Sequence, residues 1–507
     1  MLASFADDGV SYLVMAQVFS PWQPASAAVL DAFPREAFYP PLFPLILAAT
    51  GAAHDIALAY TVTALIQAAC LPLVYLLAVR LLGARWSAVA ATISVALLPS
   101  LWVHAKGILS EPLFSLLLLG VLLALPSGRS EADRGRPWLS GALLAVLLAA
   151  LVLTRTAGLV LVAGYALWAL ARRERSVRER VMLAVPAAAA VLAYAAWLVV
   201  RPEDTSDNYA RIIGGLIQSL LAADNPAAVL LASLARQANA IGEAWVGSLM
   251  LFWVEGRALR VTLACLVGVL ALVGLARRLR AAAPDGWILV AYLVTFLLWP
   301  FNDQVTRFLL PALPVLLVYA FEAAGALLRR AARPAALGHA VLALLVASLG
   351  IPGLAFMHGR AQQDEQLARS AVWYRTPDLD EARRKAQVHL DLLADMEVIR
   401  EVTAKDDRVM WYVPAYISLL ADRRAVRAPE AWLPAAQYHE RLVAAHPDYV
   451  FLSVFHPRDT RSDAAWQAGV AAFEGSEVVH ARRGTDGAYS SVLLKPTLPA
   501  PRAARRP

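Results

Sequence analysis

Charge, lysine and cysteine are all scarce in this 507-residue chain, and each scarcity excludes something. Only 17% of the residues are charged while 59% are hydrophobic, and the mean hydropathy is +0.55. A soluble protein of this size could not hide so much apolar surface, whereas an integral membrane protein has no need to. Lysine occurs at four positions (Lys106, Lys385, Lys405, Lys495), so the basic charge is almost all arginine. The formal net charge of +7 invites a nucleic-acid partner. The arginines instead cluster in short loops between apolar runs, which argues against nucleic acid. The two cysteines, Cys70 and Cys265, both lie inside apolar runs. That rules out a disulfide framework outside the membrane and a cysteine metal site. There is no Walker motif, zinc-protease motif or glycine-rich dinucleotide fingerprint.

What the chain does have is a succession of apolar runs. Ten of them, at 55–80, 86–103, 109–126, 138–153, 157–171, 181–200, 258–276, 286–300, 308–328 and 337–356, predict transmembrane helices. Basic residues mark alternate loops: Arg80 and Arg85; Arg129, Arg134 and Arg136; Arg172 to Arg180; Arg277, Arg278 and Arg280; Arg329, Arg330 and Arg333. The positive-inside rule assigns these loops to the cytoplasm. It places 1–54, 104–108, 154–156, 201–257, 301–307 and 357–507 outside. The amino terminus then lies outside with no span or signal peptide before it. Residues 40–50 are too short and proline-rich to cross, so a first transmembrane helix is expected upstream of this sequence.

The predicted fold class is an α-helical polytopic membrane protein with a small C-terminal α/β soluble domain. Residues 1–54 form an external loop with juxtamembrane helices, 55–356 the bundle, 357–495 the external domain and 496–507 a Pro- and Arg-rich disordered tail. In the external loop 201–257, the segment 226–254 is amphipathic enough to lie on the membrane surface. In the C-terminal domain, 409–413, 449–455, 477–481 and 490–494 read as strands, and 379–402, 429–445 and 463–473 as helices.

Two acidic motifs fall on the outer side, Asp7-Asp8-Gly9-Val10-Ser11-Tyr12 and Leu109-Ser110-Glu111-Pro112-Leu113-Phe114. Carboxylates at the rim of an apolar bundle are costly and usually serve chemistry or transport. A purely structural account also exists. Asp7 and Asp8 would cap a helix from Gly9 to Phe19. Glu111 would stabilise a helix start, with Pro112 in its favoured early position. Lys106, Arg155 and Arg307, the notable basic residues near the outer ends of spans, would act as interfacial anchors. His54, His104 and His358 show no metal-ligand spacing.

The two acidic motifs, with Tyr39-Pro40-Pro41-Leu42 and Arg307-Phe308-Leu309-Leu310-Pro311 in this order, resemble the GT-C membrane glycosyltransferases. Within these the chain is similar to the protein O-mannosyltransferases and lipid A aminoarabinose transferases, over about residues 5–330. The resemblance implies a GT-C-like bundle in the cytoplasmic membrane with an outward-facing site. It implies an enzyme that takes a sugar from a polyprenyl-phosphate carrier and passes it, with inversion, to a protein, lipid or glycan acceptor. Asp8, or else Asp7, would be the general base. Glu111, Tyr12 and Tyr39 would bind substrate. Arg307, Arg155 and Lys106 would hold the lipid phosphate. The family can carry Lys or His just before the proline, where this chain has Tyr39, so another cation must meet the phosphate. No metal or other cofactor is assigned. Two other functions fit the composition: a polyprenyl-lipid transporter or flippase, and an inactive relative serving as an assembly subunit. The chain has no convincing internal repeat and few ionisable residues within the spans, as a transporter would often have.

Overall fold

The computed structural model describes residues 7–125, 137–202, 214–215, 217–218, 220–251, 257–299, 304–363, 378–429, 433, 435–455, 473, 475–484 and 489–497. Each predicted span contains a helix: Ile56–Leu82, the pair Arg85–Ala96 and Pro99–Ala105, Glu111–Ala124, Pro137–Thr154, Gly158–Ala171, Val177–Val200, Arg257–Arg280, Pro284–Leu298, Leu313–Arg330 and Ala335–Gln363. By length and composition Ile56–Leu82, Val177–Val200, Arg257–Arg280 and Ala335–Gln363 can each cross a bilayer, and the pair bent by 57° makes a fifth candidate. The others are shorter apolar helices; at 1.5 Å per residue, a 14-residue helix such as Glu111–Ala124 covers only about 21 Å.

Helix ends follow local chemistry. Asp55 accepts a hydrogen bond from the Leu58 amide to start Ile56–Leu82, and Gly83 ends it in the left-handed conformation at φ 72°. Leu313–Arg330 runs through the middle of the bundle and is buried along nearly its whole length before its terminal arginines. Opposite ends of the bundle differ in charge. Glu111 opens its helix at one end, while at the other Arg80 donates to the carbonyls of Leu122, Leu123 and Leu125 and closes it.

The segment expected to lie on the membrane surface forms the helix Pro226–Met250, capped by Asn225. Only its first half is exposed. From Ala244 to Met250 it is buried, with Trp245 Nε1 donating to the Ala264 carbonyl inside the bundle at 2.9 Å. The apolar face therefore finds neighbouring helices, including the short helix Val305–Leu309, rather than lipid alone.

Among the described residues the C-terminal domain holds one five-stranded sheet: β1 (Arg408–Trp411), β2 (Arg424–Arg427), β3 (Tyr449–Ser453), β4 (Glu477–Arg483) and β5 (Tyr489–Lys495), in the order β2-β1-β3-β5-β4. β1 is parallel to β2 and β3, and β5 is antiparallel to β3 and β4. Alternate side chains serve two cores. Met410, Val450 and Leu494 face the helix Ala435–Ala445 through Tyr438 and Leu442. Val409, Trp411, Phe451 and Leu493 face the helix Leu379–Val402. That second core continues without a break into the N-terminal helices Asp7–Phe19, Ala27–Glu36 and Leu42–Ala49, through Tyr12, Leu13, Val29, Phe43 and Leu47. The N-terminal helices and the C-terminal domain therefore share one hydrophobic interior.

Sequence periodicity missed β2, because Arg424 and Arg427 flank its two apolar residues and no alternation is visible. The helix predicted at 463–473 and the tail from 498 lie outside the described residues.

Candidate active site

Four elements far apart in sequence meet at the end of the bundle away from Arg80. Asp8 sits in the first turn of Asp7–Phe19 and Glu111 is the first residue of Glu111–Ala124. Arg155 lies in the tight turn between Pro137–Thr154 and Gly158–Ala171, and Arg307 in the five-residue helix Val305–Leu309. Arg307 bridges the two acids: its Nη2 lies 2.5 Å from Asp8 Oδ2, and its Nε donates to Glu111 Oε1. Arg155 Nη1 pairs with the same Glu111 oxygen at 2.7 Å. Two carboxylates and two guanidiniums leave the cluster near neutral, which makes its burial tolerable; Glu111 is fully buried.

Polar neighbours close the cluster on itself. The Tyr39 hydroxyl donates to Asp8 Oδ1 at 2.5 Å. Arg155 also donates to Ser110 Oγ at 3.0 Å, and Ser110 shares a 2.8 Å hydrogen bond with the Tyr12 hydroxyl. The rings of Tyr12 and Tyr39 then meet with centroids 4.9 Å apart. The circuit runs Tyr39, Asp8, Arg307, Glu111, Arg155, Ser110, Tyr12 and back to Tyr39. Phe308, next to Arg307, lies under the Arg155 guanidinium at 5.2 Å, and its carbonyl accepts from Tyr292 at 2.9 Å. These contacts fix the planes of both arginines.

Two close approaches set the geometry. A Cβ on Gly9 would come within 3.0 Å of the Ile108 carbonyl oxygen, so the bare glycine lets the Asp8 turn lie against the loop that leads to Glu111. A Cβ on Gly158 would fall 2.9 Å from the backbone of Leu151 and Val152. Gly158 therefore permits the turn carrying Arg155, whose carbonyl accepts from the Gly158 amide at 2.8 Å. Gly158→Ala is expected to push this turn open. Thermal unfolding should show a loss of about 1–3 kcal/mol, and whatever activity depends on Arg155 should fall at least tenfold.

Burial alone would raise the Asp8 carboxyl, but the Arg307 charge, the Tyr39 hydrogen bond and the Arg155 charge together hold it below the ordinary aspartate value. Asp8 is thus firmly ionised at rest. Glu36, at the end of Ala27–Glu36, differs: burial pushes its carboxyl up, against the opposing pull of Ser11, Arg35 and Arg427. One oxygen of Glu111, Oε2, is buried without a hydrogen-bond partner among the described residues. It is the acceptor that a bound hydroxyl or ammonium group would satisfy.

Of the residues named from sequence, Asp8, Glu111, Tyr12, Tyr39, Arg155 and Arg307 meet in this circuit. Asp7 begins the same helix, but its side chain lies outside the described residues. Lys106 stands exposed at the end of Pro99–Ala105, whereas Arg155 and Arg307 are enclosed. Ser110 and Phe308 were not singled out, although both lie inside the quoted motifs; a serine or phenylalanine beside a charged residue carries no signal of its own. Among the described residues no three His, Cys, Asp or Glu side chains gather as a metal site.

The whole chain can be laid on known structures. Over 96% of this chain and 93% of the other, it superposes with a TM-score of 0.53 and 13% identity on ArnT from Cupriavidus metallidurans bound to undecaprenyl phosphate. Over 99% of this chain and 71% of the other, it superposes with a TM-score of 0.52 and 12% identity on the archaeal oligosaccharyltransferase AglB from Archaeoglobus fulgidus, in complex with an inhibitory peptide and a dolichol-phosphate. The chain has the GT-C fold. No family model matches the sequence, and no curated protein matches it either. In this GT-C fold, the apolar helices identify a multi-pass membrane protein and the sheet forms its small C-terminal α/β domain.

Proposed function

We propose that this protein is a membrane glycosyltransferase moving a sugar from a polyprenyl-phosphate donor to an acceptor on the outer face of the cytoplasmic membrane, with inversion at the anomeric carbon. The observation that carries the proposal is the convergence of Asp8 and Glu111 on Arg155 and Arg307 from four separate elements. A structural role for these residues as caps and interfacial anchors would not require them to meet. The fold shared with ArnT and AglB, whose structures hold polyprenyl phosphates, supports a lipid-linked donor.

The chemistry follows from the pairing. The acceptor oxygen attacks the anomeric carbon as the bond from that carbon to the phosphate oxygen breaks. The bonding electrons leave with the phosphate, and the acceptor proton passes to Asp8. Arg307 and Arg155 meet the charge that develops on the phosphate. At rest Arg307 also suppresses the basicity of Asp8. When the phosphate engages Arg307, Asp8 loses part of that counter-charge and becomes a better base where a donor is in place. Glu111 orients both arginines and offers Oε2 to a sugar hydroxyl. Tyr39 holds Asp8, and Tyr12 supplies an aromatic wall.

The site would face the exoplasm, with the C-terminal domain beside it and the arginine loops in the cytoplasm. Reconstitution tests this. Purified protein in nanodiscs, given a panel of polyprenyl-phosphate sugars, should consume one donor and release polyprenyl phosphate. Mass spectrometry of envelope lipids and glycans with and without the gene should show one sugar missing from one acceptor. Lipid movement across liposomes with no sugar transfer would overturn the proposal in favour of a flippase.

A further inference from the structure

One buried acid takes no part in the chemistry above. Glu36 is buried at the C-terminal end of Ala27–Glu36, and its Oε2 accepts from Ser11 Oγ at 2.5 Å. Ser11 is buried as well and lies three residues beyond Asp8, on the same face of Asp7–Phe19. Tyr39 lies three residues beyond Glu36, and its amide donates to the Glu36 carbonyl at 3.5 Å. The two segments therefore form an antiparallel pair of rungs: Asp8 with Tyr39, and Ser11 with Glu36. In each rung a hydroxyl donates to a carboxyl oxygen. The carboxylate sits on opposite strands of the two rungs, so neither rung can shift along the helix without breaking the other.

We infer that Glu36 is a positioning residue: through Ser11 it fixes the register between the Asp8 helix and the turn bearing Tyr39, and thereby aims the Asp8 carboxylate. The inference rests on the proposed base role of Asp8 for its kinetic consequence, but not for its structural one. Without the Glu36 rung, the turn 36–39 loses its hydrogen bond from Ser11, and Tyr39 is held less firmly in its approach to Asp8. A misaimed base costs turnover rather than substrate binding.

The test compares Glu36→Leu, Ser11→Ala and Glu36→Gln in the full-length protein. Glu36→Gln keeps an oxygen acceptor for Ser11 and should stay within threefold of wild type. Glu36→Leu and Ser11→Ala should each lower kcat at least tenfold, with KM for donor and acceptor within twofold. In a Tyr39→Phe background, Glu36→Leu should add less than a twofold further loss, because both changes break one device. Losses that multiply, or a Ser11→Ala protein with wild-type kcat, would overturn the inference. Hydrogen–deuterium exchange supplies a readout that needs no substrate: Glu36→Leu and Ser11→Ala should speed exchange in segments 8–12 and 37–42 and leave the bundle unchanged. If the wild type transfers no sugar, the proposed function fails while exchange still judges the ladder. Unchanged exchange in those two segments would refute the ladder whatever the activity.

Discussion

Asp8→Asn should abolish sugar transfer, with a loss of about 10²–10⁴-fold in kcat, in a protein that still inserts and superposes on wild type. Asparagine has nearly the shape of aspartate and can still accept from Tyr39, so the circuit keeps its outline. What it loses is the negative charge beside Arg307 and the ability to take a proton. A transfer assay with saturating donor, run beside a gel-filtration profile, separates the chemical loss from misfolding. Full activity in Asp8→Asn would remove the base assignment. The pH dependence has a definite sign. The folded carboxyl is held below its ordinary value of 3.8, so in the donor-free protein Asp8 stays ionised above that pH and its protonation causes no loss of kcat/KM between pH 5 and 8. Its share of folding stability is likewise present above the unfolded value and disappears as pH falls through the lower, folded one. The same scan on Asp8→Asn should lack that acid-side stability loss.

Arg307→Ala should be the more damaging change, because it harms stability and chemistry together. Asp8 and Glu111 would lose the cation between them, and Glu111 would keep only Arg155. Breaking an enclosed ion pair from one side costs about 3–5 kcal/mol, so a large fall in melting temperature is expected along with loss of transfer. Arg307→Ala/Glu111→Gln restores the charge balance, with Arg155 left to oppose Asp8, and should recover part of the stability while transfer stays below that of Glu111→Gln alone. The Glu111→Gln single variant is the control, since a purely structural Arg307 would leave the double variant as active as that single one. Arg307→Lys keeps a charge but not a fork that reaches both acids, and should fold with transfer lowered at least tenfold.

How much of this could be read from the chain depends on how locally each feature is encoded. The bundle was legible because apolar runs and arginine loops alternate, and because Pro112 marks a helix start. Asp8, Glu111 and Arg307 could be named because they stand in short motifs of recognisable order. The bond from Arg155 to Glu111 could not be seen, since it depends on a turn whose sharpness comes from Gly158 meeting the backbone of Leu151. Glu36 was also missed. It stands among Arg35, Phe38 and Tyr39 like any acid near a helix end, and only the fold reveals that Ser11 lies opposite. β2 escaped because its pairing partner β1 supplies the reason for its extension. The second half of Pro226–Met250 was misplaced because amphipathicity reports that a face must be covered, not by what.

The interior common to Tyr12 and Leu13 at one end of the chain and Trp411 and Tyr416 at the other bears on how the molecule is made. Ribosomes deliver the Asp8 helix about 400 residues before its C-terminal packing partners, which at about 5–20 residues per second is a wait of on the order of 20–80 s. Throughout that interval the helix leans only on Ala27–Glu36, Leu42–Ala49 and the loop at Ile108, and the side that Trp411 and Tyr416 will fill stays open. Nascent or prematurely terminated chains would therefore carry Asp8 on a half-packed helix, and competence for transfer would arrive only once the last strands had folded against it.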